Sequence, residues 1–160
     1  MSVIGFESHD HASCIASAVS EAKRYCADRN LQLTPVRRRV LELLLARHRA
    51  MGAYEILDVL REEGLGAQPP VAYRALDFLV KHGFAHRVEK LNAFTACAHP
   101  GETHSPVFLI CRACHTVAEA QAEGATGMLA AAARETGFRV ERTVVEAEGI
   151  CERCLESEAR

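Results

Sequence analysis

The chain predicts an α+β protein, an N-terminal winged helix-turn-helix followed by a small α/β domain built around a four-cysteine site. Three observations predict it. Apolar residues recur every three to four positions in four successive stretches before Gly83, two short alternating stretches follow, and Cys111-x-x-Cys114 is answered by Cys151-x-x-Cys154 after 36 intervening residues. With 160 residues the chain can bury one core or form two small domains. Its charge is divided: residues 1–97 carry 13 Lys/Arg against 11 Asp/Glu, net +2, whereas 98–160 carry 6 against 10, net −4.

Ala12–Asn30 places Ile15, Val19, Ala22 and Cys26 on one stripe, a helix that Asn30 closes, and residues 1–11 before it are expected to form a flexible tail. Thr34-Pro35 is an N-cap followed by proline at the first helical position, opening a helix that runs to about His48. Ala53–Glu63 puts Ile56, Leu57, Val59 and Leu60 on one side. Breakers over Gly64–Pro70 lead into a fourth helix, Pro70–His82, stopped by Gly83. Leu76, Leu79 and Val80 are expected to face its core, and Tyr73, Arg74, Asp77 and Lys81 to face away. Phe84–Glu89 and Ala93–Cys97 alternate around Lys90-Leu91-Asn92 as a hairpin, the wing.

The first domain is therefore read as 1–97, the breaker-rich stretch 98–106 as a hinge, and 107–160 as the second domain. In the latter, Val107–Cys111 and Thr116–Glu119 read as strands, Ala125–Thr136 as an alanine-rich helix closed by Gly137, and Phe138–Ala147 as a long alternating strand. Both cysteine knuckles lie at strand ends.

Two thiolates from each tight turn supply a closed tetrahedral site for Zn²⁺, which clamps the two ends of the domain together. Such a site has no open position for a substrate, so it predicts a fold and not a reaction. A second set, His86, Cys97, His104 and Glu119, offers one sulfur, two imidazoles and one carboxylate, suited to Zn²⁺ at the hinge. The alternative is a buried Cys97, solvated histidines and an exposed Glu119, with His99 a competing ligand. Tyr73 and Arg74 lie in the first turns of the fourth helix, where an arginine fork matches guanine in a major groove; a solvated Arg and a half-buried Tyr is the other reading. The clusters Arg37–Arg39 and Arg47/Arg49 match a phosphate-binding surface or an ordinary solvated face. His9-x-His11-x-x-Cys14 lacks a fixed geometry and reads as incidental, and Cys26 as core.

Seven cysteines, an odd number, without a secretory leader point to a reducing, cytoplasmic setting. No apolar run approaches a membrane span. No Ser/His/Asp set or open metal position suggests an enzyme.

The motifs Leu33-Thr34-Pro35-x-Arg37, Pro69-Pro70-x-x-Tyr73-Arg74-Ala75-Leu76-Asp77-Phe78-Leu79, Gly83-Phe84-x-His86 and the paired Cys-x-x-Cys resemble the ferric uptake regulator (Fur) family, and within it the zinc-responsive branch, from about Ala22 to Glu156. The resemblance implies a homodimeric, metal-responsive repressor. Its winged helix would bind double-stranded DNA at an A·T-rich inverted repeat, and its second domain would dimerise. It implies structural zinc at Cys111, Cys114, Cys151 and Cys154 and regulatory zinc at His86, Cys97, His104 and Glu119, two Zn²⁺ per protomer. It further implies base contact by Tyr73 and Arg74, with Arg37 and Lys81 also on DNA, and salt bridges by Asp58 and Arg61 between two dimers on one operator. Cys97 favours zinc over iron, because a thiolate is a soft ligand; an iron or peroxide sensor of the same architecture is the alternative. Val71-Ala72 departs from the family's usual Thr-Val, removing a hydroxyl that could meet a phosphate.

Overall fold

The computed structural model describes residues 3–4, 10–47, 49–102, 104–121 and 123–158. The chain folds as two compact units, Glu7–Glu102 and Thr103–Arg160, the second including Met1–Phe6. The break after Glu102 lies inside the 98–106 connector. Val3–Ile4, within the stretch expected to be a flexible tail of the first domain, instead forms a strand of the second unit.

In the first unit, α1 (His11–Asp28) begins at Asp10, whose carboxylate accepts from the Ala12 N–H at 3.1 Å. Asn30, in the left-handed region at φ 54°, turns the chain after it. The Thr34 hydroxyl caps α2 (Pro35–Leu45) by accepting from the Arg37 N–H. The helix ends at Leu45, short of His48, which lies outside the described residues. α3 (Ala53–Glu62) and α4 (Pro69–Lys81) follow, α4 opening on two prolines that need no intrahelical donor. Gly83, at φ +76°, lets the Phe84 N–H reach back to the Leu79 carbonyl at 2.8 Å and ends α4.

The hairpin β2 (Ala85–Val88) and β3 (Ala93–Ala96) pairs antiparallel with His86 opposite Thr95. Two 2.8 Å bonds between Met51 and Phe94 fasten it to the segment before α3. One core joins all of this: Ala22 and Cys26 from α1, Val40, Leu41 and Leu44 from α2, Ile56, Leu57 and Leu60 from α3, and Ala72, Ala75, Leu76 and Leu79 from α4. Val80, expected inside, is 38 % exposed, while Phe78 is buried in its stead. The buried face follows 72-75-76-79, so Val80 falls past its edge.

The second unit is a sheet in the order β1-β5-β4-β6, with β1 at Val3–Ile4, β4 at Pro106–Cys111, β5 at Val117–Gln121 and β6 at Val145–Gly149. β4 and β5 are antiparallel, and β6 returns parallel to β4 after α5 (Glu123–Glu135). The long strand expected over Phe138–Ala147 is therefore shorter and later. Phe138, Val140 and Val144 are 69, 40 and 41 % exposed; alternation over 138–144 marked strand-forming residues that find no pairing partner among the described residues. A short helix the sequence reading missed, α6 (Glu152–Glu158), follows Cys151.

Candidate metal centre and nucleic-acid interface

β4 ends at Cys111, and the chain turns back through residues 112–115, His115 taking φ 61°, before the Thr116 carbonyl accepts from the Cys111 N–H at 3.0 Å. Parallel pairing sets Cys111 beside Gly149, and the Gly149 carbonyl accepts from the Arg112 N–H at 2.9 Å. That register delivers the second knuckle. The Cys151 N–H points at Cys111 Sγ, 3.3 Å away, Cys114 Sγ and Cys151 Sγ lie 3.7 Å apart, and the ligand atoms of Cys111, Cys114, Cys151 and Cys154 all fall within 4.8 Å of one another. Zinc–sulfur bonds of about 2.3 Å in a tetrahedron set sulfurs roughly 3.8 Å apart, so the cluster fits zinc by donor type and spacing.

The cluster also sorts its protons. Backbone N–H groups, first that of Cys114 and then that of Cys151, pull the Cys111 thiol down to about 6. The Thr116 hydroxyl, 3.2 Å from Cys114 Sγ, lowers Cys114 as well. Cys154, sharing its hydrogen with Cys151, is pushed up to about 12. Thiolate is the metal-binding form, so the hydrogen bonds that lower Cys111 and Cys114 favour ligation by these two sulfurs.

Two further candidate ligands meet in the same unit. His104 Nε2 lies 2.7 Å from Glu119 Oε1, and Glu119, opposite Phe108 in the β4–β5 ladder, is only 5 % exposed. A carboxylate that deep requires partners, which corrects the alternative of an exposed Glu119. In the winged-helix unit, His86 faces Thr95 across the hairpin, and Cys97, two residues beyond Thr95, extends the ladder through its N–H to the Phe84 carbonyl at 3.0 Å. Strand alternation puts His86 and Cys97 on one face, and Cys97 is buried. His99 lies in the turn that accepts the Glu102 N–H. His11 and Cys14 fall on α1, and His9 lies outside the described residues.

On α4, Tyr73 and Arg74 stand exposed in the first turns, and Lys81 lies seven residues on from Arg74, on the same side of the helix. The arginine clusters are mostly not open to phosphate. Arg38 pairs with Glu42, Arg39 with Glu42 and Glu63, and Arg47 and Arg49 with Glu55. Arg37 differs: its guanidinium lies 3.8 Å over the Phe78 ring and donates to the Gln32 carbonyl at 2.7 Å. On α3, Arg61 and Asp58 pair with each other at 3.0 Å, one turn apart and both exposed. Among the described residues no helix is long and apolar enough to cross a membrane.

A winged helix joined to a small sheet unit with a preformed four-thiolate centre defines a two-unit, metal-centred member of the helix-turn-helix regulators. Residues 28–148 match the Ferric uptake regulator family. The zinc uptake regulation protein of Escherichia coli (strain K12) is 42 % identical over 142 residues, spanning 88 % of this chain and 83 % of that protein. A zinc uptake regulator solved in complex with zinc and DNA superposes with a TM-score of 0.87 at 40 % identity, covering 91 % of this chain and 98 % of that one. The holo form of XcZur superposes at 0.79 with 41 % identity, covering 88 and 98 %. The chain belongs to the ferric uptake regulator family.

Proposed function

We propose that this chain is a zinc-responsive transcriptional repressor, a cytoplasmic homodimer that binds operator DNA when loaded with zinc and controls zinc-uptake genes. The observation that carries this is the 42 % identity to a zinc uptake regulation protein over 88 % of the chain, together with a soft ligand, Cys97, in the regulatory set. Iron or peroxide sensing is less well supported, because both curated relatives matched are zinc regulators and iron and peroxide sensors favour oxygen and imidazole donors.

Cys111, Cys114, Cys151 and Cys154 would hold one zinc per protomer as a structural clamp, and His86, Cys97, His104 and Glu119 the second. Bound zinc supplies a shared Lewis-acid centre for these four side chains. Zinc held by these four side chains would shift a pre-existing equilibrium toward the DNA-competent state. By linkage, operator DNA raises zinc affinity by the factor with which zinc raises DNA affinity. Metal ligands bind in their deprotonated forms, so zinc affinity, and with it this contribution, weakens as pH falls.

Tyr73 and Arg74 read bases of an A·T-rich inverted repeat, and Arg37 and Lys81 meet flanking phosphates. Homodimerisation is supported by the apolar surface that the sheet unit leaves open: Met128, Leu129, Phe138, Val140 and Val144 are between 40 and 77 % exposed. Asp58 and Arg61 exchange partners between two dimers on one operator. Capture of fragmented genomic DNA by purified protein at two buffered free-zinc levels tests the reading. Enrichment of an inverted repeat only at the higher level is expected; zinc-independent capture, or none, would overturn it.

A further inference from the structure

The cations of the winged-helix unit divide into two groups. Arg38, Arg39, Arg47, Arg49, Arg61 and Arg87 are each in an ion pair. Arg29, Arg37 and Lys81 make none among the described residues, nor do the carboxylates on the same helix ends, Asp28 and Asp77, pair with any of them. Lys23, Arg24 and Arg74 are likewise outside these ion pairs, but Arg29, Arg37 and Lys81 differ from them in gathering at one imidazole.

His82 follows α4, and Tyr25 of α1 and Phe78 of α4 pack against its ring at centroid distances of 5.7 and 4.6 Å. The Tyr25 hydroxyl lies 3.2 Å from His82 Nδ1. Arg29 stacks over Tyr25 and Arg37 over Phe78, each guanidinium 3.8 Å from the ring centroid. Stacking holds a guanidinium by its face and leaves its N–H edges to donate, of which Arg37 already gives one N–H to the Gln32 carbonyl. Burial, then Lys81, Arg37 and Arg29, hold His82 below its ordinary pKa, so it is neutral in the free protein at pH 7. Gathering three cations and an imidazole with no carboxylate in ion-pair contact, Asp28 and Asp77 being the acidic groups on these helix ends, costs repulsion that a bound anion would offset. The group's position indicates which anion. Lys81 lies seven residues beyond Arg74 on α4, about 10 Å along the axis at 1.5 Å per residue, and a major groove is about 12 Å wide, so a helix end this far from the base-reading turn reaches the flanking backbone.

We infer that Arg29, Arg37, Lys81 and His82 form one phosphate-binding site that takes a DNA backbone phosphodiester beside the bases read by Tyr73 and Arg74, with His82 bound as imidazolium. The inference rests on the DNA-binding reading above and adds Arg29 and His82 to it. The proton comes from solvent and adds to Nδ1, the Tyr25 hydroxyl turning to accept from it, while Nε2–H serves the phosphate. Because the phosphate raises a pKa that is low in the free protein, this site's contribution to DNA affinity grows as pH falls through the interval between the free and bound values, by at most about tenfold per pH unit for one proton. The regulatory histidines have the opposite sign, so the two effects separate at saturating zinc.

The test uses the full chain, zinc-saturated with occupancy checked at each pH, and measures operator and random-duplex affinity between about pH 6 and 8 across a salt series. Arg29→Ala is expected to weaken both duplexes several-fold and to reduce the salt slope by about one. His82→Gln is expected to remove the strengthening at lower pH while leaving zinc stoichiometry and melting temperature unchanged. An unaltered salt slope in Arg29→Ala, or identical pH profiles for His82→Gln and wild type, overturns the site while leaving DNA binding intact. Failure of the wild type to bind any duplex overturns the DNA-binding reading itself and this site with it. Inorganic phosphate replacing chloride at matched ionic strength separates the two sources of the group: if phosphate alone raises the His82 pKa, followed by NMR, as DNA does, the site binds free anions and the backbone assignment fails.

Discussion

Cys97 and Cys111 are both buried thiols at the ends of strands, yet the consequences of losing them should differ. Cys111 anchors a cluster whose four sulfurs close one end of the sheet unit, so Cys111→Ser should release zinc and unfold or monomerise that unit, seen as loss of a cooperative melt. Cys97→Ser should leave the melt in place and lower affinity for the second zinc by more than about tenfold, abolishing zinc-dependent operator binding. Equal loss of folding in both variants would sink this division of labour. Glu63 gives a different residue-scale effect. The hydrogen bond from Arg39 holds its carboxyl below the ordinary value. Its contribution to stability is full above the unfolded carboxylate pKa and is lost as pH falls through the lowered folded value. Glu63→Gln should therefore lower the melting temperature at neutral pH and converge with wild type below the carboxylate range; a constant offset at every pH would contradict the assignment.

At the scale of elements, α2 and α3 support the base-reading helix and make no contact with bases themselves in this reading. Thr34 is the side-chain cap of α2, and Thr34→Ala should cost about 1 kcal/mol by chemical denaturation. Leu60, fully buried on α3, should cost about 2–5 kcal/mol on replacement by alanine, because the transfer and cavity terms add. Zinc stoichiometry at the cysteine cluster, formed by the other unit, should be unchanged in both. α1 to α4 were legible because helices with one buried face leave a period in the residues, and the hairpin because turn residues separate two short strand-forming runs, although three consecutive residues of β3 are buried. α6 was not, since seven residues without a buried position carry no such period. β1 was not either: two residues leave no pattern, and the pairing of Val3 with Ala120 is a long-range choice made by the edge of β5.

For the whole molecule the open question is what covers the sheet unit. Leu129, Ala133, Phe138, Val140 and Val144 line one cavity between α5 and the segment before β6, and a second copy of the chain is the occupant proposed above. Phe138→Asp should shift the protein to monomer in sedimentation and weaken operator binding while leaving both zinc ions bound. A dimer that survives this substitution would place the interface elsewhere.

Spacing alone foretold that the four cysteines gather, because two Cys-x-x-Cys turns at the ends of one small domain suit a common tetrahedral ion. Helical period and capping chemistry likewise determined the winged helix and the exposure of Tyr73 and Arg74. Only the tertiary structure decided which cations remain available. Arg37, Arg38 and Arg39 are indistinguishable as letters, yet Arg38 and Arg39 are taken up by Glu42 and Glu63, while Arg37 lies stacked on Phe78 beside His82. The i,i+4 and i,i+3 spacings to Glu42 can be read within α2, but the pairing of Arg39 with Glu63 and the seat of Arg37 on Phe78 depend on which groups the packing of separate helices brings together, and no periodicity within one helix encodes that.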